Sequence, residues 1–243
     1  MTLRIDRPLK TNWITQKFGE NLPCVEKETR PFRFVSCAEE NTEKLYTALN
    51  MKGHSGIDMA GKFREPVYFP VHDMGVEWEA ITKLDSAGAV QVIVRSTTPV
   101  PLSEVPKHFA GSLKMIQSQY DKLNGAVYLQ FWFVHLDSSV VFNKTKVKYG
   151  QLLGYNGTTG LSTGYHTHFT MKVSDTNSWW YIDGDNGYNG SVDLMPYYTG
   201  NYVLDSMVTQ TTTVQGLQLK IIDAMRQVIP LMRQLLLLKK QTL

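Results

Sequence analysis

Four of the six histidines in the chain, together with one aspartate, fall into one ordered pattern: His54-Ser-Gly-Ile-Asp58, Val134-His135-Leu136 and Tyr165-His166-Thr167-His168-Phe169. A catalytic zinc ion keeps three protein ligands and leaves a fourth position to water, whereas a structural zinc closes all four. His54, Asp58 and one histidine of the His166/His168 pair supply three such ligands. Residues two or four apart point to the same side of an extended chain, so both imidazoles of the pair are expected to face one pocket, and His54 and Asp58 likewise. Metal lowers the pKa of bound water towards neutrality, and a histidine titrates in the range needed to carry the proton to a leaving amine. His135 and the non-ligand member of the pair are the candidates for that role. No HExxH occurs, which excludes the helix-borne zinc motif with its glutamate base.

The elements that must position these groups read mostly as strands. Ile14 to Gly19, Glu65 to Pro70, Ala89 to Arg95, Ala126 to His135 and His166 to Val173 are rich in β-branched and aromatic residues or alternate between polar and apolar. The fold class expected is mainly β, an antiparallel sheet core with an open substrate groove. Two segments interrupt it as partly helical insertions, 20–53, with a helix-capable piece from Ala38 to Leu49, and 97–123, which is led by prolines and ends at the turn signal Asn124-Gly125. Residues 1–200 are thus expected to form one domain, 201–213 a linker rich in threonine, and 214–243 a C-terminal amphipathic helix. In that helix Ile221, Met225, Val228, Met232 and Leu235 form an apolar stripe, with Pro230 off the stripe as a kink.

Composition narrows the function further. Apolar residues at 42% and charged residues at 19% describe an ordinary globular chain. The net charge of +3 is carried by the tail, where five basic residues follow Val214 against the single acid Asp223. No broad basic face argues for nucleic acid. No window reaches the roughly 18 apolar residues of a membrane span, and charges occupy the place where a secretory signal would have its apolar core. Cys24 and Cys37 would pair in an oxidising compartment and stay reduced in a cytosol. His72 and His108 match no motif and read as surface or structural. Trp179-Trp180-Tyr181 reads as a packed corner of the fold ahead of a glycan-facing groove. The glycines at 154, 157, 160 and 164 lack the Lys-Ser/Thr of a phosphate cradle and are read as turn formers.

Taken in order, Ile14-Thr-Gln-Lys-Phe-Gly19, Gly53-His-Ser-Gly-Ile-Asp-Met-Ala60, Pro66-Val-Tyr68, Val134-His-Leu136, Val147 to Gly154 and Gly157 to Phe169 resemble the lysostaphin-like (LytM, M23) zinc endopeptidases of bacterial cell walls. The resemblance spans roughly residues 11 to 197. It implies a β-sheet core with Zn2+ on the floor of a groove, His54, Asp58 and His168 as metal ligands, and His135 and His166 as catalytic residues that orient or deprotonate water and stabilise the oxyanion. It implies peptidoglycan as the substrate and partner, hydrolysed in its stem peptides or cross-bridges, and a site of action at the bacterial cell wall, whether extracellular, periplasmic or virion-borne as in an endolysin. The alternative is a structural or wall-targeting component of a bacteriophage tail or secretion assembly that uses the same fold for binding. The C-terminal helix would then serve a homo-oligomer or a larger assembly. The chain departs from the family's usual residues at Gly61, Tyr165, Thr167 and Thr170, positions expected to flank the groove.

Overall fold

The computed structural model describes residues 3–20, 46, 50–101 and 126–207. Cys24, Cys37, His108, the turn Asn124-Gly125, most of both expected insertions, the linker from 208 and the C-terminal helix lie outside the described residues. The chain forms two compact units, Met1–Val203 and Leu204–Leu243, and every element named below belongs to the first. No helix among the described residues is long and apolar enough to cross a membrane.

The regular elements among the unit's described residues are mostly strands: β1 Ile5–Arg7, β2 Ile14–Gln16, β3 Ile57–Ala60, β4 Pro66–Tyr68, β5 Trp78–Leu84, β6 Val90–Ser96, β7 Val100–Pro101, β8 Ala126–Leu136, β9 Ser138–Ser139, β10 Thr145–Val147, β11 Leu152–Tyr155, β12 His166–Ser174, β13 Ser191–Val192 and β14 Tyr198–Tyr202. The main sheet runs in the order β10-β5-β6-β8-β12-β3-β2, with β13 added on β12 and β7 on β8, and its pairings are antiparallel. A smaller antiparallel sheet joins β4, β11 and β9. Among the described strands, β1 departs from the expected antiparallel pattern and pairs parallel to β14, Ile5 opposite Tyr198 and Arg7 opposite Tyr202. β14 therefore carries the unit to Tyr202, two residues into the segment expected as linker.

The strongly β-prone segments take their places because each has one face to bury. On β8 and β12 the residues Leu129, Phe131, Phe133, Phe169, Met171 and Val173 point to one side, where they meet Ile57, Met59, Phe69, Trp78, Val92 and Val94 in a common core. Phe133 and Phe169 stack with ring centroids 4.7 Å apart, and Phe131 meets Phe69 and Trp78 edge-on or tilted. Residues 130, 132, 168, 170 and 172 must then point to the opposite face, which carries the chemistry. Hydrophobic burial on one side of the sheet thus decides what the other side presents.

Phe169 is fully buried between Phe131 and Phe133 and lies next to His168. Its replacement by alanine leaves a cavity in the sheet's central strand, and a loss of about 3–5 kcal/mol of stability is expected from thermal or denaturant unfolding. An unchanged midpoint would contradict this account of the core.

Candidate metal centre

β12 pairs with β3 so that His168 stands directly opposite Asp58 and His166 opposite Ala60. His166 and His168, two apart on the strand, both face the same side, as their spacing predicts. His54 arrives differently. The chain is bent, not extended, from Gly53 to Gly56, and β3 begins only at Ile57, so it is this bend and not a four-residue strand repeat that turns His54 towards Asp58. Glycine is required at position 56, where an added Cβ would lie 2.5 Å from the Phe169 carbonyl oxygen and 3.0 Å from the His168 ring.

His135 reaches the site through an irregularity. Opposite β8, Val92 pairs with Phe133 but Val90 pairs with Leu136, so one extra residue is accommodated in β8 between them. Strict alternation would send His135 to the core beside Phe131 and Phe133. The bulge reverses the parity: Leu136 enters the core, and His135, at φ 67°, turns to the metal side with its ring 4.8 Å from that of His166. A positive φ at a non-glycine residue is strained backbone, and here it sits at the site.

The donor atoms converge closely. His54 Nε2 lies 3.0 Å from His168 Nδ1 and 3.1 Å from Asp58 Oδ1, and His168 Nδ1 lies 2.9 Å from the same oxygen. Donors on a tetrahedral ion with bonds of about 2.0–2.1 Å would stand roughly 3.3 Å apart, so two imidazole nitrogens and one carboxylate oxygen fit a small divalent ion such as zinc and leave a coordination position open. The outer nitrogens of both imidazoles are engaged as well. His54 Nδ1 lies 3.2 Å from the Lys17 carbonyl oxygen and His168 Nε2 3.4 Å from the Ser55 hydroxyl. Such contacts fix which ring nitrogen presents its lone pair to a metal. Thr170 supports this arrangement by donating its hydroxyl to the Ser55 carbonyl at 2.6 Å.

The two remaining histidines are oriented in the same way. His135 Nδ1–H donates to the Thr159 carbonyl at 2.8 Å and His166 Nδ1–H to the Gly164 carbonyl at 2.9 Å, which leaves both Nε2 atoms directed inward. His166 Nε2 lies 3.6 Å from Asp58 Oδ2. The carbonyls of Lys17, Thr159 and Gly164 escape any reading of side-chain motifs, because every residue type supplies one. The five residues of the histidine pattern are therefore brought together, while His72 stands elsewhere, its Nε2 3.0 Å from Asp6 and its ring against Tyr149. Trp179-Trp180-Tyr181 does not pack as one corner: Arg95 covers the Trp179 ring, Tyr181 packs on Trp132, and Trp180 is exposed. Thr167 does not flank the groove as expected. It is fully buried on the core side and donates to Asn156 Oδ1 at 2.8 Å.

The site polarises its own members. Burial alone would raise the Asp58 carboxyl, but the charges of His54 and His166 and the imidazole hydrogen bonds hold it well below the usual carboxylate range. Burial would lower His54, and the Asp58 carboxylate outweighs it, so the imidazole is raised above its ordinary value. Burial pushes His168 down to about 4, and burial together with His166 lowers His135. Without a metal, the Asp58 carboxylate therefore favours the protonated form of His54, while burial favours the neutral forms of His168 and His135.

No family model and no curated protein matches the chain. Among solved structures it is similar to the catalytic domain of the antimicrobial peptidase lysostaphin from Staphylococcus simulans, at 20% identity over 60% of this chain and 79% of that one, with a TM-score of 0.37. It is also similar to a zinc-containing peptidase from Vibrio cholerae, at 19% identity over 79% of this chain and 39% of that one, with a TM-score of 0.40. A third is the catalytic domain of the prophage-encoded M23 protein EnpA from Enterococcus faecalis, at 16% identity over 71% and 88% of the two chains and a TM-score of 0.36. With all three TM-scores below 0.5, the reading of the site rests on its own geometry.

The pKa shifts give the metal-free protein a defined pH response. His168 is protonated near 6.5 when unfolded and only near 4 when folded, so the unfolded state binds the extra proton between these values and stability falls as pH drops through that window, by up to about 3 kcal/mol. His54 acts in the opposite sense: its contribution is fully present below 6.5 and is lost as pH rises through its raised value. Denaturant unfolding of chelated protein between pH 4 and 8 is expected to show a steeper acid limb for the wild type than for His168→Asn. Parallel curves would refute the assignment of neutral, buried His168.

Proposed function

We propose that the chain is a zinc-dependent endopeptidase that hydrolyses peptide bonds in peptidoglycan stem peptides or cross-bridges, acting at the bacterial cell wall. The observation that carries the reading is the convergence of His54 Nε2, Asp58 and His168 Nδ1 to within about 3 Å of one another, with the Nε2 atoms of His135 and His166 turned to the same place. The wall substrate is supported by the ordered motifs from Ile14 to Phe169 and by nothing in the site itself.

When bound, zinc polarises the scissile carbonyl and acidifies the attacking water. His54, Asp58 and His168 would hold it, with the Asp58 carboxylate as the one anionic ligand and its Oδ2 lying 3.6 Å from His166 Nε2. His135 is the base. With Nδ1–H committed to Thr159, its Nε2 lone pair accepts the proton of the water as the water oxygen bonds to the carbonyl carbon. The same imidazolium returns that proton to the amine nitrogen as the carbon–nitrogen bond breaks, and the acid's remaining proton passes to the freed amine or solvent, so the products are a carboxylate and a new amino terminus. His166, held by Gly164, presents Nε2 to the developing oxyanion and donates to it when protonated.

His54→Ala and Asp58→Ala are expected to lose both bound zinc and the release of amino termini from purified cell walls. His135→Ala is expected to keep zinc, as measured by metal analysis, and to lose activity by about 10²–10⁴-fold. Full activity in a metal-free variant would overturn the proposal, and wall binding without cleavage by the zinc-loaded chain would favour the wall-targeting alternative.

A further inference from the structure

A second concentration of oxygen donors lies outside the histidine cluster, in the loop Asp183-Gly-Asp-Asn-Gly-Tyr-Asn-Gly-Ser191. Asp183 is 5% exposed, and neither of its carboxylate oxygens has a hydrogen-bond partner. The hydroxyl of Ser191, fully buried, also has none. Buried carboxylates are ordinarily paired or bound to a cation. Lys52 acts on Asp183 through space, while Asp185 adds a like charge.

The loop is closed by its own bonds. Asn186 accepts the backbone N–H groups of Tyr188 and Gly190 on its side-chain oxygen, at 2.7 and 3.1 Å, and donates its amide to the Ser191 carbonyl at 3.0 Å. Its backbone N–H returns to the Asp183 carbonyl at 3.1 Å, so one residue ties both ends of the loop. Gly190 lies so close to residue 182 that an added Cβ would stand 3.1 Å from the Ile182 carbonyl oxygen, which brings the chain entering Asp183 beside the chain entering Ser191. Asn186 is thereby spent on the backbone, and Asp183, Asp185 and Ser191 are left with oxygens to offer.

We propose that this loop binds a calcium ion, with the carboxylates of Asp183 and Asp185 as its charged ligands and the Ser191 hydroxyl as a neutral one. The donor set is oxygen only, with no imidazole or thiol in the loop, which selects a hard cation over zinc. Calcium accepts irregular sets of carboxylate, hydroxyl, carbonyl and water oxygens, whereas magnesium demands near-octahedral geometry and retains its waters. The spacing is not that of an EF-hand, which requires glycine at its sixth position and a bidentate glutamate at its twelfth. Tyr188 and Leu194 stand there. Burial and Asp185 push the Asp183 carboxyl up to about 6, so it is ionised and available at neutral pH.

With two carboxylates the affinity belongs with weak extracellular sites, a Kd on the order of 10⁻⁴–10⁻³ M. The test uses the full zinc-loaded chain at neutral pH in calcium-depleted buffer, titrated with calcium chloride by calorimetry and followed by thermal unfolding. One site is expected, with a rise in Tm of about 2–5 °C at roughly 10 mM calcium. Asp183→Asn, which keeps the shape and removes the buried charge, is expected to retain zinc and to lose the calcium response, and Asp185→Asn to weaken it several-fold. The proposal is overturned if the wild type shows no response at that concentration, if magnesium chloride gives an equal one, or if either variant binds calcium as the wild type does. Because zinc content is read separately, failure here leaves the histidine site untouched.

Discussion

The antiparallel register of β3 on β12 sets Asp58 across from His168, and the site depends on that pairing more than on any other contact. On β12, His166, His168, Thr170 and Lys172 occupy one face while Thr167, Phe169, Met171 and Val173 occupy the other. A slip of one residue would exchange the two sets, driving imidazoles into a core of aromatic rings. Phe131, Phe133 and Phe169 resist that exchange because they fill a continuous apolar layer with Trp78 and Phe69. The apolar face of the sheet therefore determines the geometry of the polar one. Beyond His168 the polar face continues as buried, satisfied structure: Lys172 donates to the Asn189 carbonyl at 2.6 Å and lies 3.7 Å from the Tyr181 ring centroid and 4.4 Å from that of Trp132.

Backbone carbonyls, not acidic side chains, aim most of the imidazoles. Lys17, Thr159 and Gly164 each supply an oxygen to a ring Nδ1, and only Asp58 approaches the rings with a carboxylate. A carbonyl orients a neutral imidazole without adding a charge, so Asp58 remains the sole anion among the five residues of the cluster. Its carboxylate is shared by His54 at 3.1 Å, His168 at 2.9 Å and His166 at 3.6 Å. It also makes the site sensitive to loops such as 157–164, whose hydrogen bonds to β12 and to Leu136 keep those carbonyls in place.

How much of this was legible in the sequence depends on the range of the interaction. The strands bearing His135, His166 and His168 could be read because their composition and alternation are local properties, and the inward sharing of His166 and His168 follows from a spacing of two. The route of His54 could not, since Gly53 to Gly56 bend where an extended chain was expected. The parity of His135 was hidden for a related reason: a bulge arises from pairing with β6, a strand some forty positions earlier in the chain. The same holds for β1, whose parallel partner β14 lies at the far end of the unit, and for Asp183, whose lack of partners is a property of burial alone. Thr167 looked like a groove residue because its neighbours are, yet strand alternation sends it inward.

The pairing of β1 with β14 has a mechanical side. Two parallel strands leave their chain ends at opposite extremities of the ribbon, so tension applied between the start and the finish of the Met1–Val203 unit acts along the strand axes. The bonds between them are then loaded together in shear and must yield as a group, where an antiparallel hairpin pulled at its open end would unzip one bond at a time. Asp6 reinforces the joint from within, receiving the hydroxyls of Tyr149 and Thr199, and Arg7 bonds across to the Gly200 carbonyl at 3.0 Å. The first and last strands of the unit thus form a clasp that resists separation of its two ends, and β1 is tied in addition to the 68–72 segment through the bonds of Asp6 to Pro70 and His72 to Arg4.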